Sequence, residues 1–296
     1  MPDDGATPPK LEAFYLPSSE GRRFCVLHEP AEPGAGEGAI LYVHPFAEEM
    51  NKARRMAALQ SRALAAAGWT VLQIDLAGCG DSEGDFGDAS WQGWVADVRE
   101  AAFWLGEHSG RTPWLWGLRT GSLVATAAAA ALPSVPGLLF WQPVLSGRQF
   151  LQQFLRLKVA AQILGSAEAE RVDTRELRER LSRGQGVEVA GYALSPALAE
   201  GLEAAEFSPV PGEASVAWLE VSGAVAGQLS PAVRTRVAQW QDAGHPVDAR
   251  CVAGQAFWQT QEIAECPALI EATLAAVAGA RQSARGPRPA MAGARP

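Results

Sequence analysis

The chain has 296 residues, of which 48% are hydrophobic and 20% charged, and its formal net charge is −8. That length suits one large α/β domain with an insertion, or two small domains. The acidic balance, with no basic block, excludes nucleic acid as an expected partner, because neutralising phosphates takes clustered Lys and Arg.

The residues 1–10 read as a flexible leader, polar and without an apolar h-region, so no signal peptide is expected. Leu11 to Leu16 and Arg22 to His28 read as two strands joined by a Ser-Ser-Glu-Gly turn, followed by a Pro/Gly/Glu loop from Pro30 to Gly38. Ala39 to Val43 is a continuous apolar strand, as in a parallel sheet buried on both faces. Ala53 to Ala67 predicts a helix closed by Gly68. Trp69 to Ile74 is the next strand, and Ser90 caps a predicted helix through about His108. A strand at Trp114, a helix from Ser122 to Ala131 and a strand at Gly137 to Trp141 continue the alternation.

From Pro143 the rhythm breaks into helical segments, Arg148 to Leu164, Ala167 to Arg183 and Tyr192 to Ala204, the pattern of an inserted lid. The alternation resumes with Ser215 to Val221, Ser230 to Ala243, Val247 to Val252 and a helix from Gln259 to Val277. The expected organisation is therefore a core first part over 11–142, a helical lid insertion over 143–211, a core second part over 212–278 and a disordered tail over 279–296. Strand and helix in this order predict a mostly parallel central sheet with helices on both faces. No run of about 20 apolar residues occurs, so no membrane insertion is expected. Cys25, Cys79, Cys251 and Cys266 form no Cys-x-x-Cys pair, so a zinc site or redox dithiol is not expected, and a reducing cytoplasm is the default location. No cofactor is implied.

The chain is organised around Gly117-Leu118-Arg119-Thr120-Gly121, set between an apolar strand and an alanine-rich helix. Gly-x-x-x-Gly in that context has the spacing of a Gly-x-Ser-x-Gly nucleophile elbow, but Arg119 stands where the serine would be. A guanidinium stays protonated and cannot attack an acyl group; it can hold a carboxylate or phosphate by two parallel hydrogen bonds. Two readings of Arg119 stay open, an anchor for an anionic ligand and a salt bridge to a loop carboxylate. Glu48 and Glu49 are candidate partners.

Over roughly 39 to 277 these residues resemble the α/β-hydrolase superfamily. His44-Pro45-Phe46 matches the loop that supplies an oxyanion-hole amide. Asp75-x-x-Gly78-x-Gly80-x-Ser82 is similar to that superfamily's Asp-x-Arg-Gly-x-Gly-x-Ser turn, with Ala77 in place of the arginine, and the elbow is the third match. More narrowly, HPFAEEMNKARRM, GLRTG and FWQTQEI resemble the exosortase A system-associated hydrolase 2 group. That resemblance implies an association with exopolysaccharide and PEP-CTERM sorting loci, and with it an exopolysaccharide or exosortase-system protein partner.

The pattern of that superfamily requires a nucleophile, a base within hydrogen-bond reach and an acid that orients the base. The acid position, Ser222 to Gln228, holds no carboxylate, and the base position, Ala253 to Trp258, holds no histidine. His44 is the histidine at a strand end facing the same crevice, and reads either as a general base or anion donor or as a structural imidazole. His44 with Glu48 makes an i, i+4 pair that lacks a third metal ligand. Cys79 reads as a thiolate candidate or as a small turn residue.

Three functions follow. The first is a catalytically degenerate hydrolase that binds a small anionic or acyl-bearing ligand. Arg119 would anchor it, the Thr120 amide and the His44 loop that carries Phe46 would donate, Glu48 would be a further ligand-binding residue, and Trp141, Phe257 and Trp258 would line an apolar crevice. The second is an esterase or thioesterase rebuilt around His44, using a water or Cys79. The third is a non-catalytic scaffold protein.

Overall fold

The computed structural model describes residues 10–32, 37–164, 172–223 and 227–284. Its centre is an eight-stranded sheet. The strands are β1 (Lys10–Ser18), β2 (Gly21–Glu29), β3 (Gly38–Val43), β4 (Trp69–Ile74), β5 (Trp114–Leu118), β6 (Gly137–Trp141), β9 (Ser215–Ser222) and β10 (Val247–Ala253). Their spatial order is β1-β2-β4-β3-β5-β6-β9-β10. β2 runs antiparallel to both neighbours, and every pair from β4 to β10 is parallel.

Helices α2 (Trp91–Ser109), α3 (Gly121–Ala131) and α7 (Pro231–Asp242) cover one face, and α1 (Glu48–Ala66) and α8 (Pro267–Ala284) the other. Alternate strand residues serve the two faces. Leu41, Val43, Leu115, Leu138, Phe140 and Trp218 pack under α2, α3 and α7, whereas Ile40, Tyr42, Trp116, Leu139, Trp141 and Leu219 pack under α1 and α8. This is why these strands are apolar without interruption. The tryptophans are core residues of both layers. Trp69 meets Trp114 edge-on at 5.8 Å, and Trp116 meets Trp141 at 4.6 Å.

Ser90 caps α2, its Oγ accepting from the Gly93 N–H at 3.0 Å. Ser90→Ala is expected to cost about 1 kcal/mol, read as a lower urea midpoint; an unchanged midpoint would mean the cap contributes nothing.

The insertion comprises α4 (Gly147–Leu164), α5 (Thr174–Ser182), a hairpin of β7 (Val187–Val189) and β8 (Tyr192–Leu194), and α6 (Pro196–Ala204). The expected all-helical segment from Tyr192 to Ala204 is thus part strand. Ala190 and Gly191 both take positive φ, +51° and +85°, the geometry of a two-residue hairpin turn.

Two further boundaries differ from expectation. α1 starts five residues before Ala53, which places Glu48 and Glu49 in its first turn, where the helix dipole favours carboxylates. α8 starts at Pro267 rather than Gln259, because proline suits a first helical position, and it runs to Ala284, past the 278 boundary. The remainder of the expected tail, and residues 1–9 of the expected leader, lie outside the described residues.

Candidate functional site

β5 ends at Leu118, the chain turns through Arg119 and Thr120, and α3 begins at Gly121. Arg119 has φ +54°, the left-handed region that disfavours side chains with a Cβ and that marks an elbow. The Arg119 N–H donates to the Trp141 carbonyl at 2.9 Å, and its carbonyl accepts from the Val144 N–H at 3.3 Å. Those two bonds fix the turn over the end of β6. A Cβ at Gly117 would overlap the Ser122 backbone, and one at Gly121 would overlap the carbonyls of Val43 and His44. Both glycines are therefore required by close approach. Ser122 caps the turn internally, its Oγ donating to the Gly117 carbonyl at 2.9 Å.

The guanidinium of Arg119 lies against α1. Its Nε is 3.3 and 3.4 Å from the two Glu49 carboxylate oxygens, and its Nη2 is 3.3 Å from one of them. Both side chains are 16% exposed. The guanidinium also stands over the Trp258 ring, 5.6 Å from its centre. Gln259 hydrogen-bonds Glu49, whose carboxyl is pushed up from its ordinary range because burial outweighs the Arg119 charge. Glu49, Arg119 and Trp258-Gln259 come from the three stretches HPFAEEMNKARRM, GLRTG and FWQTQEI. Residues separated by more than two hundred positions thus meet in one cluster.

Glu220 of β9 completes the electrostatics. It accepts from Trp218 Nε1 and from Gln142 Nε2, each at 2.6 Å, and burial pushes its carboxyl up while the Arg119 charge draws it down. Gln142 returns a bond from its own Oε1, which accepts the Val221 N–H at 2.7 Å. Glu220 lies inside β9 and not after it, where the superfamily pattern places its acid. Its signal was a lone carboxylate in an apolar run.

The other sequence candidates separate. His44 is buried; its Nδ1 faces the Pro45 carbonyl at 2.7 Å, and its Nε2 accepts the Leu76 N–H at 3.1 Å. Burial lowers its pKa. Both ring nitrogens are spent on backbone, so the geometry favours the structural reading over the general base. Glu48 does not reach Arg119. It accepts from Tyr192 Oη at 3.1 Å and so ties α1 to the insertion hairpin. Trp141 and Phe257 are fully buried and line no crevice; Trp141 Nε1 donates to Thr273 Oγ1 at 2.9 Å. The Phe46 ring sits in a cluster with Phe86, Trp94, Phe150 and Phe154. Burial pushes the Cys79 thiol up, which disfavours a thiolate. The Asp75 turn is structural: Asp75 pairs with Arg54 at 2.8 Å and accepts the Asp81 N–H at 3.1 Å.

Among the described residues no hydrogen bond leaves the N–H of Thr120 or of Phe46. The two follow adjacent strands whose register sets Val43 beside Gly117. Arg119 does not border the larger surface hollows found among the described residues, of about 340 to 720 Å³. Among the described residues no cluster of three His, Cys, Asp or Glu side chains could hold a metal ion, and no helix is long and apolar enough to cross a membrane.

An eight-stranded, mostly parallel sheet with an antiparallel second strand, an elbow between β5 and α3 and an insertion after β6 defines the α/β-hydrolase fold. The model of one of its families, described as Serine aminopeptidase, S33, matches residues 34–203, more than half of the chain, and the chain belongs to that family. No curated protein matches it. Among solved structures it is similar to Est1E from Butyrivibrio proteoclasticus bound to ferulic acid, with 16% identity, 92% of this chain and 98% of that one covered, and a TM-score of 0.62. A highly thermostable carboxyl esterase from Bacillus coagulans in complex with glycerol gives 13% identity, 92% and 99% coverage and a TM-score of 0.58. An alpha-beta serine hydrolase homologue from Coxiella burnetii gives 14%, 90% and 96%, and 0.51. At these identities the likeness is one of fold.

Proposed function

We propose that this protein is a degenerate α/β hydrolase that binds a small anionic or acyl-bearing ligand and does not perform Ser-His-Asp hydrolysis. The observation that carries this reading is Arg119 at the elbow with its donors only partly used. Nε and Nη2 face Glu49, while Nη1 makes no hydrogen bond among the described residues. A guanidinium has five N–H donors in a rigid fork, and one carboxylate at 3.3 to 3.4 Å leaves that fork unsaturated and able to grip a ligand carboxylate more closely. The unfilled amides of Thr120 and Phe46 lie at the neighbouring strand ends, where open α/β sheets place ligands. The resemblance of the three converging stretches supports a role beside an exosortase-type sorting and exopolysaccharide system. The four unpaired cysteines suit a cytoplasmic setting.

The rebuilt-esterase reading is weakened because His44 has no free nitrogen and Cys79 is held as a thiol. Wild type, Arg119→Ala and Arg119→Ser are to be assayed on short and medium p-nitrophenyl esters and thioesters. All three are expected to stay at background, Arg119→Ser included, since a serine there finds no base. In a thermal-shift titration with medium-chain carboxylates, wild type should gain a few degrees and Arg119→Ala should gain none. Turnover that His44→Ala removes would replace this reading by the esterase.

A further inference from the structure

Glu49 sits on Arg119 as a bound carboxylate would. It approaches the Nε–Nη2 edge of the fork, the side that a ligand carboxylate uses for two parallel bonds. The separations, 3.3 to 3.4 Å, exceed the roughly 2.7–2.9 Å of a close charged pair, so the grip is loose.

The charges around it leave little room for another anion. Glu49 is faced by Arg119 from the elbow, by Lys52 from its own helix and by the neutral Gln259 from the loop before α8. Arg119 is flanked in turn by Glu220 from β9. With both carboxylates ionised, Arg119 and Lys52 are already balanced, and a third negative charge in a site this buried has no cation left to meet it.

We propose that Glu49 is an internal stand-in for the ligand, and that a carboxylate enters by displacing it while Glu49 takes up a proton. The inference rests on Arg119 being the anion anchor. The balance is simple: ligand carboxylate and one solvent proton enter, Glu49 leaves the guanidinium as a neutral carboxylic acid, and the charge of the cluster is unchanged. Burial already favours the neutral form of Glu49. Losing its arginine favours that form further, so the pKa of Glu49 is higher in the complex than in the free protein. Binding therefore takes up protons, and affinity falls as pH rises through the range between the two values. The ligand class this selects is a monocarboxylate, which replaces one carboxylate by another.

The test is calorimetric titration of octanoate, with acetate as the short probe. Wild type, Glu49→Gln, Glu220→Gln and Arg119→Ala are compared between pH 6 and 8, where the probe is a carboxylate, in pairs of buffers with different ionisation enthalpies. Wild type should take up close to one proton per octanoate where Glu49 is ionised, with affinity falling by up to about tenfold per pH unit. Glu49→Gln should bind at least about tenfold more tightly at pH 7.5, with no proton uptake and a flat pH profile. Glu220→Gln should keep the uptake, and Arg119→Ala should not bind. If Glu49→Gln proves poorly folded by circular dichroism, the wild-type proton count still decides, and a value of zero overturns the proposal. Octanoate binding that is no tighter in Glu49→Gln, or uptake lost only in Glu220→Gln, overturns the exchange and leaves the anchor standing. Binding by neither wild type nor Glu49→Gln, or equal binding by Arg119→Ala, overturns the anchor itself.

Discussion

Asp97→Ala is expected to destabilise the protein by about 3–5 kcal/mol, the usual cost of breaking a buried ion pair from one side. Asp97 and Arg23 are 2% and 1% exposed, and Arg23 Nε donates to Asp97 Oδ1 at 2.6 Å. The second carboxylate oxygen accepts the Ala77 N–H at 2.8 Å. One side chain of α2 thereby holds β2 and the loop after β4. Burial pushes the Asp97 carboxyl up despite the neighbouring guanidinium. Arg23 cannot shed its charge in the same way, so removing its partner leaves an uncompensated cation in the interior. Equilibrium urea denaturation would measure the loss, and the double variant Arg23→Met/Asp97→Leu should recover much of it. A single-variant loss under about 1 kcal/mol would mean that water reaches Arg23 and that the pair is not the tie described.

Gly121→Ala is expected to cost about 3 kcal/mol or more, against the intrinsic preference of a helix for alanine, worth about 1 kcal/mol in the opposite direction. The added methyl would fall on the carbonyl oxygens of Val43 and His44, which are backbone and cannot turn aside. Gly279→Ala in α8 is the matched control, because a Cβ there meets nothing within 4 Å. It should leave stability unchanged or raise it by up to about 1 kcal/mol. Equal effects at the two glycines in thermal unfolding would show that helix propensity, not the approach of α3 to β3, sets the requirement at 121.

The fold was legible because its signals are steric. Gly117 and Gly121 stand at contacts that admit no side chain, and strands buried on both faces must be apolar throughout. The cluster around Arg119 was only half legible. Arginine at an elbow is visible as a residue type in a motif, but its partner depends on helix phase. Glu48 and Glu49 point about 100° apart on a helix, and a helix expected to start at Ala53 gave neither a direction. Trp141 was misplaced for a related reason. A strand end belongs to two faces, and the residue beside the elbow turns toward α8, not toward the opening. Glu220 is not legible as a site residue because it sits within β9 and not after it, and the β7–β8 hairpin is not legible because its strands are too short for a period to show. His44 needed the loop itself, since nothing in a histidine's neighbours in sequence reveals that both nitrogens are already engaged.

Phe46 joins two parts of the molecule that a lidded enzyme keeps mechanically separate. Its ring is gripped by Phe150 and Phe154 of α4, while its backbone continues directly from His44, pinned to Leu76, and into the first turn of α1. Lifting α4 would therefore expose the Phe46 ring to water, three residues ahead of Glu49 in the chain, so the insertion and the arginine's carboxylate partner are joined by one aromatic contact.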